Sequence, residues 1–356
     1  IADIGTTIPV AEEANDLWVP FKENIEKVIA GNDLTEQEMM TYLSEIMSGE
    51  KTEAEIASFL TALKIKGESV SEIVAGAKVL REKSAPIDMG DLNTLDTCGT
   101  GGDSTGTYNI STAVAIVSAA AGVPVVKHGN RSVSSKCGCA DVLEAMGVKI
   151  DLTPKQVKDC VNDIGIGFLF APTFHSAMRF VGPTRKNLGF RTIFNILGPL
   201  ANPANATAQV VGVFDERLTE VFGQVLKELG LKHVMVVHGK DGLDEITTTA
   251  ETVVTELKDG ALSTYTIKPE DFGIARAQIQ DLVGGETQLN AQILRDVLGG
   301  TKGPKRDVLL LNAGAALYVA DQVSDIQGGI DLATQVIDDG LALAKLEEFI
   351  QTTNRS

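Results

Sequence analysis

Beyond residue 90 the sequence alternates short, almost continuous apolar runs with helical stretches, and this alternation constrains the fold more than any other feature. The runs are LNTLDT (92–97), VPVVKHG (123–129), IGFLFAP (166–172), AQVVGVF (208–214) and KHVMVVHG (232–239). Runs with little polar alternation read as strands buried on both faces. Between them STAVAIVSAAAG (111–122), KCGCADVLEAMG (136–147) and residues 217–230 read as helices. Strands alternating with helices predict a mostly parallel sheet covered on both sides. TVVTEL and LSTYTI flank Asp259-Gly260 and read as a β-hairpin excursion. Two or three helices, RDVLLLNAGAALYVA among them, close the chain.

Residues 18–83 carry no strand signal. Thr35 with Glu38, and Thr52 with Glu55, have the spacing of capping boxes. Behind them Met39, Tyr42, Leu43 and Ile46, then Ile56, Phe59, Leu60 and Leu63, recur at helical spacing. Gly67 reads as a helix stop, and the helical unit ends near Pro86. No repeat or low-complexity linker separates it from the alternating segment, so it is expected to pack on the α/β body. The fold class is therefore α/β: a small all-helical N-terminal domain plus a larger α/β domain with a mostly parallel central sheet.

Charge narrows the function. A formal net charge of −17 argues against a general nucleic-acid binder or an anionic membrane surface, both of which need a basic footprint. No apolar run approaches membrane-spanning length, and the first residues lack the basic start and apolar stretch of a signal peptide. Cys98, Cys137, Cys139 and Cys160 include one C-x-C without a second pair at zinc spacing, which reads as reduced thiols in a cytoplasmic compartment. An organelle stroma is the alternative if a transit segment has been removed.

Four stretches carry chemistry. DTCGTGGDSTGTYNIST (96–112) holds four glycines between Gly99 and Gly106, between a strand and a helix. Gly99, Gly101 and Gly102 would turn backbone N–H groups toward an anion. Asn109, Ser111 and Thr112 open a helix whose free amides and dipole favour phosphate. The pattern is neither a Walker A loop nor the Rossmann glycine fingerprint. KHGNRSVSSKCG (127–138) then puts Lys127, His128, Asn130, Arg131, Ser132, Ser134, Ser135 and Lys136 after the next strand, a concentration of anion donors. Two neighbouring strand-end loops of this kind suggest a ligand with more than one phosphate. Asp241, Asp244 and Glu245 come after a third strand and suit a hard cation such as Mg²⁺. Between them Arg179, Arg185, Lys186 and Arg191 are interleaved with apolar residues, and Arg185 has the fork geometry to grip a carboxylate. His175 reads as a satisfied helix residue, and His233 and His238 as strand residues with no partner in view.

GTGGDSTGTYNIST, KHGNRSVSSKCGCADVLEAMG, RKNLGFRTIFNILGPLANP and DGLDEITTT, in that order, resemble the signatures of the anthranilate phosphoribosyltransferase family. The resemblance spans nearly all of the chain from about residue 20. It implies a nucleoside phosphorylase/phosphoribosyltransferase-like architecture, a homodimer through the helical part, and an active site in the cleft between domains. The implied domains are 1–90, with about 174–192 packing on it, and 91–173 with 193–356. The implied reaction joins anthranilate to 5-phosphoribosyl 1-pyrophosphate (PRPP), releasing pyrophosphate, in tryptophan biosynthesis.

Carried over by residue, the resemblance assigns PRPP to Gly99, Gly102, Asp103, Thr107, Asn109, Ile110, Ser111 and Thr112. It adds Lys127, His128, Gly129, Asn130, Arg131, Ser132, Val133, Ser134, Ser135 and Cys139. Anthranilate would meet Gly99, Asn130 and Arg185. Ser111, Asp244 and Glu245 would hold Mg²⁺, two ions per site. No acid–base pair is assigned, because a neutral arylamine attacks without prior deprotonation. Two departures stand out: Cys139 replaces a usual serine and weakens any phosphate contact there, and Tyr108 replaces a usual Phe at a packing position. A pyrimidine nucleoside phosphorylase remains the rival enzyme, although it needs only inorganic phosphate and no metal pair. A non-enzymatic nucleic-acid-binding relative is the rival from another class.

Overall fold

The structure, a computed structural model, describes residues 19–102, 105–132 and 136–355. Four helices come first: α1 (Val19–Ile29), α2 (Glu36–Met47), α3 (Glu53–Lys66) and α4 (Val70–Glu82). Both capping boxes form. Thr35 N donates to Glu38 Oε2 at 2.7 Å and Glu38 N donates back to Thr35 Oγ1 at 3.3 Å, and Thr52 with Glu55 repeat those distances. Gly67, at φ 87°, ends α3 as expected. Ser69 and Glu72 form a third box on α4. Glu72 is fully buried there, because it also accepts from Lys66 Nζ at 2.8 Å and Leu34 N at 2.9 Å.

The body comes next: β1 (Leu95–Gly99), α5 (Ile110–Ala120), β2 (Val125–Gly129), α6 (Cys139–Met146), α7 (Pro154–Ile164) and β3 (Ile166–Phe170). The short helices α8 (Ala171–Phe174), α9 (Gly182–Leu188) and α10 (Phe194–Leu197) lead to β4 (Ala208–Gly212), α11 (Leu218–Glu228) and β5 (His233–Gly239). β6 (Thr252–Lys258) and β7 (Ala261–Ile267) precede α12 (Ile279–Leu282), α13 (Thr287–Leu298), α14 (Pro304–Val319), α15 (Ile326–Asp338) and α16 (Leu341–Arg355). Four long helices thus close the chain instead of two or three.

The strands form one sheet in the order β3-β2-β1-β4-β5-β6-β7. The first five are parallel, while β6 runs antiparallel to β5 and β7 to β6. The hairpin at Asp259 (φ 51°) and Gly260 (φ 75°) is therefore not an excursion: it extends the sheet. Side chains alternate across the strands. Val211, Val234 and Val236 face α11 and the N-terminal helices in one apolar core. Val210, Met235 and Val237 face α5 and the C-terminal helices in another. The helical unit so packs directly on the body, α4 against α11, and α9 lies against α3. Among the described residues no helix is long and apolar enough to cross a membrane.

Candidate active site

β1 and β4 are neighbours, yet the chain leaves β1 toward β2 on one side and β4 toward β5 on the other. Such a switch point opens a crevice at the carboxyl ends of the strands. Gly99 ends β1 and pairs with Gly212, which ends β4. A Cβ on Gly99 would lie 2.5 Å from Asp244 Oδ2, and one on Gly212 only 1.5 Å from the Asp244 carbonyl oxygen. The two missing side chains let the segment after β5 cross both strand ends. Gly101 N donates to Asp244 Oδ2 at 2.7 Å. Gly101 and Gly102 have φ of 68° and 75°, a region other residues rarely adopt. The Gly102 carbonyl accepts from Arg191, whose guanidinium stacks 4.1 Å from the Phe214 ring centroid.

α5 starts where this loop ends, and no side chain caps it. Ile110 N donates to the Tyr108 carbonyl at 2.7 Å and Thr112 N to that of Asn109 at 3.1 Å, so among the described residues of this first turn the Ser111 amide is the one left to an acceptor. Ile110 and Thr112 are 1% exposed and their amides are bonded to backbone carbonyls, so in this geometry neither presents a donor to the ligand. The Asn109 side chain donates to the Cys137 carbonyl at 3.1 Å and accepts from Asn290 at 3.1 Å, linking loops instead of facing the crevice. Thr107 pairs with Val283. Tyr108 is buried and donates to the Lys305 carbonyl at 2.7 Å, in keeping with a packing role.

Lys127 is buried behind the glycine loop, where Nζ donates to the Thr97 carbonyl and, at 3.3 Å, to Ser111 Oγ. Burial pushes the neighbouring Asp96 carboxyl up, against the Lys127 charge and bonds from Asn202 and His128 N. Beside them His128 and His175 meet edge to face at 5.1 Å. Both are buried; neither Nε2 has a close partner among the described residues, but His175 engages the Leu80 and Ala201 backbone and His128 that of Gly198, in keeping with the packed residue expected at His175. Burial, then the His175 charge, pulls His128 down to about 3, and burial pulls His175 to about 4. Both rings are neutral.

The second anion loop is held by α6. Asp141 accepts from Ser132 N at 3.0 Å and Gly138 N at 2.9 Å. Arg131 is taken by Asp141 at 3.0 Å and Glu144 at 2.8 Å, so its charge is spent within the loop. The Cys139 thiol bonds to the Asn130 carbonyl at 3.3 Å, and a Cβ on Gly129 would lie 2.3 Å from its sulfur. Asn130 is exposed, with Oδ1 accepting from Arg131 N at 2.7 Å. Asp103, Val133, Ser134 and Ser135 lie outside the described residues.

Arg185 on α9 is half-buried and sits 5.4 Å from the Phe194 ring centroid. Burial lowers its pKa, and among the described residues no acid pairs with it. An unpaired, partly desolvated guanidinium is suited to a carboxylate ligand. Asp241 separates from its neighbours: it accepts from Leu243 N at 3.2 Å and from the Thr247 and Thr249 hydroxyls, which makes it a turn fastener. Asn312 fastens the same turn by bonding both N and O of Ile246, at 2.9 and 2.7 Å. His233 and His238 do have partners, contrary to expectation. His233 bonds Glu256 and Asp321, each at 3.1 Å, and His238 bonds the Val213 carbonyl at 2.7 Å.

The oxygen donors Asp244, Glu245 and Ser111 fit a hard cation. No group of three His, Cys, Asp or Glu residues forms a cage among the described residues. Such a sparse set fits an ion that keeps several waters and shares substrate oxygens, as Mg²⁺ does. Sequence reasoning missed Asn290 and Gly212 and left Arg191 without a role. Arg191 lies inside a quoted stretch, whereas Asn290 carries no local signal.

Known proteins share this architecture. Residues 22–84 match the helical bundle domain of the glycosyl transferase family, and residues 91–343 its a/b domain. The anthranilate phosphoribosyltransferase of Alkaliphilus metalliredigens is 57% identical over 331 residues, covering 93% of this chain and 98% of its own. That of Acetivibrio thermocellus is 55% identical over 334 residues, covering 94% and 97%. The crystal structure of the Thermus thermophilus enzyme superposes with a TM-score of 0.88 at 41% identity, covering 93% and 99%. The Saccharomyces cerevisiae enzyme in complex with PRPP and Mg does so with a TM-score of 0.87 at 27% identity, covering 94% and 98%.

Proposed function

The chain belongs to the glycosyl transferase family, among the anthranilate phosphoribosyltransferases, and on that premise we propose how its cleft performs the transfer. The enzyme moves the phosphoribosyl group of PRPP to the amine of anthranilate, yielding N-(5-phosphoribosyl)anthranilate and pyrophosphate in tryptophan biosynthesis. One observation carries the site assignment. The glycine loop, the uncapped start of α5 and the Asp244 carboxylate meet over one pair of strand ends.

In this reading the amides of Gly99 and Gly102 and that of Ser111 in the first turn of α5 receive the phosphates, and Lys127 supplies a fixed charge behind them. The second loop, from Lys127 to Ser135 with Cys139, receives the remaining phosphate. Cys139 acts by shaping Asn130, a view supported by its bond to that carbonyl. Asp244, Glu245 and Ser111 hold Mg²⁺, two ions per site. When bound, Mg²⁺ neutralises charge on the departing pyrophosphate. Arg185 clamps the anthranilate carboxylate, and Asn130 and Gly99 line the same pocket. The amine lone pair forms the bond to ribose C1 as the C1–O bond breaks, and pyrophosphate keeps that electron pair. The extra proton leaves the nitrogen afterwards, so orientation does the work of a general base.

Residues 1–90 with about 174–192 act as one domain, and 91–173 with 193–356 as the other, a division supported by α9 lying against α3. The helical unit pairs two copies of the chain. Support comes from Ile29 on α1 and Ile65 on the adjacent α3, exposed at 69% and 82%. Light scattering should give a dimer, and Ile65→Asp a monomer. Four cysteines outside any disulfide support a cytoplasmic setting.

The deciding assay tracks anthranilate fluorescence. Loss of signal should require both PRPP and Mg²⁺. No loss with both present, or phosphorolysis of a pyrimidine nucleoside instead, would overturn the reading.

A further inference from the structure

Asn290, at the start of α13, is 2% exposed, and its side-chain amide bonds to groups that border the candidate site. Nδ2 donates to Asn109 Oδ1 at 3.1 Å, and Oδ1 accepts from Gly285 N at 2.7 Å. Asn109 Nδ2 passes the chain on to the Cys137 carbonyl at 3.1 Å. The outer ends fix both amides: a backbone N–H only donates and a carbonyl only accepts, so neither amide can flip without losing a bond. The fit is close, since a Cβ on Gly284 would fall 2.4 Å from Asn290 Oδ1 and 2.9 Å from Tyr108 Cα. The same segment is stitched to the glycine loop again by Gly284 N to the Gly106 carbonyl at 2.9 Å and by the Thr107–Val283 bridge.

Asn109 precedes the uncapped amides of α5, and Cys137 stands at the far end of the second anion loop. We propose that Asn290 is a positioning residue that fixes the spacing between the two loops, so that a single PRPP can span them. The proposal rests on the assignment of PRPP to this cleft. Asn290 touches no reacting atom. It acts through Asn109, whose orientation it sets.

Two variants test this by steady-state kinetics on the full chain. Asn290→Leu keeps the shape and removes both bonds. Asn290→Asp keeps the acceptor for Gly285 N but turns a second oxygen against Asn109 Oδ1. Each should raise the KM for PRPP about 5- to 10-fold, the worth of one such hydrogen bond. The KM for anthranilate should change less than twofold. Lowering the pH should restore the Asp variant toward the wild-type KM measured at the same pH, because a protonated carboxyl can again donate to Asn109, and the ratio of the two values cancels the titration of the substrate's own phosphate. A merely structural role predicts neither the split between substrates nor the recovery. Should the Leu variant fail to fold, the Asp variant carries the test. A folded Asp variant with an unchanged KM for PRPP, or with all parameters impaired alike at every pH, would overturn the proposal alone. Wild-type enzyme that consumes anthranilate without PRPP would overturn the functional reading with it.

Discussion

In the proposed reading Arg185 and Glu245 would separate the two demands on the cleft, holding one substrate and releasing part of the other. Arg185 is half-buried with no acid partner among the described residues, so an arriving carboxylate would gain a charge-assisted bond with no described pair competing for it. Arg185→Ala should raise the KM for anthranilate by roughly 10- to 100-fold, the loss expected for a bond to a charged group, and leave kcat within a few-fold. A kcat that falls as far as kcat/KM would move Arg185 from binding to the transition state. Glu245→Ala should do the reverse. Negative charge grows on pyrophosphate only as the C1–O bond breaks, so the loss belongs in kcat, at roughly 100-fold or more. An unchanged kcat at saturating Mg²⁺ would remove that role. Both residues could be singled out as candidates in the sequence because a carboxylate pair after a strand and an arginine among apolar residues are local patterns. Arg131 was legible as a cation but not as a spent one. Its pairing with Asp141 and Glu144 depends on how α6 folds back over the loop.

Gly212 shows what an element requires that no single motif announces. It ends β4, and the segment after β5 passes so close that an added Cβ would lie 1.5 Å from the Asp244 carbonyl oxygen. Backbone atoms cannot swing aside as a side-chain tip can. Gly212→Ala should therefore destabilise the protein by about 1–3 kcal/mol and sharply raise the Mg²⁺ concentration needed for activity. Gly198→Ala, in helical backbone with nothing within 4 Å of the added carbon, should change neither. Denaturant midpoints and Mg²⁺ titrations would check both, and equal behaviour of the two variants would refute the steric account. The five parallel strands could be read in the sequence because strands buried on both faces are continuously apolar. The capping boxes could be read because their partners lie three residues apart. α7 goes unread in the sequence although it carries such signals, with Thr153 as N-cap, Pro154 in the first turn and Gly165 at φ 78° as stop. What stayed hidden was adjacency. Nothing local says that β4 lies beside β1 or that the hairpin joins the sheet edge, and Asn290 reaches Asn109 across 181 positions.

At the scale of the whole molecule, the core between the helical unit and the sheet contains a titratable weak point. His128 comes from β2 and His175 from the segment after α8, and both are buried with an unpartnered Nε2. The fold holds them at about 3 and about 4, below their ordinary 6.5. A depressed histidine pKa means that below 6.5 the unfolded chain binds protons that the folded chain refuses. Stability from these rings is complete above that pH and declines as the pH falls toward the folded values. Glu256 does not act in this window. Burial would raise it, but bonds from His233, Tyr265 and Tyr318 hold it down to about 2, so its contribution is lost only between 4.5 and that value. Asp96, raised by burial, works in the opposite sense, and a comparison of variants cancels it. Each histidine should cost about 1 kcal/mol between pH ~6.5 and ~5.5. Urea unfolding at the two pH values should thus show His175→Gln losing about 1 kcal/mol less than wild type over that step. Equal losses in the two proteins would mean that His175 takes up its proton in the folded state, and that the junction beneath the cleft admits water.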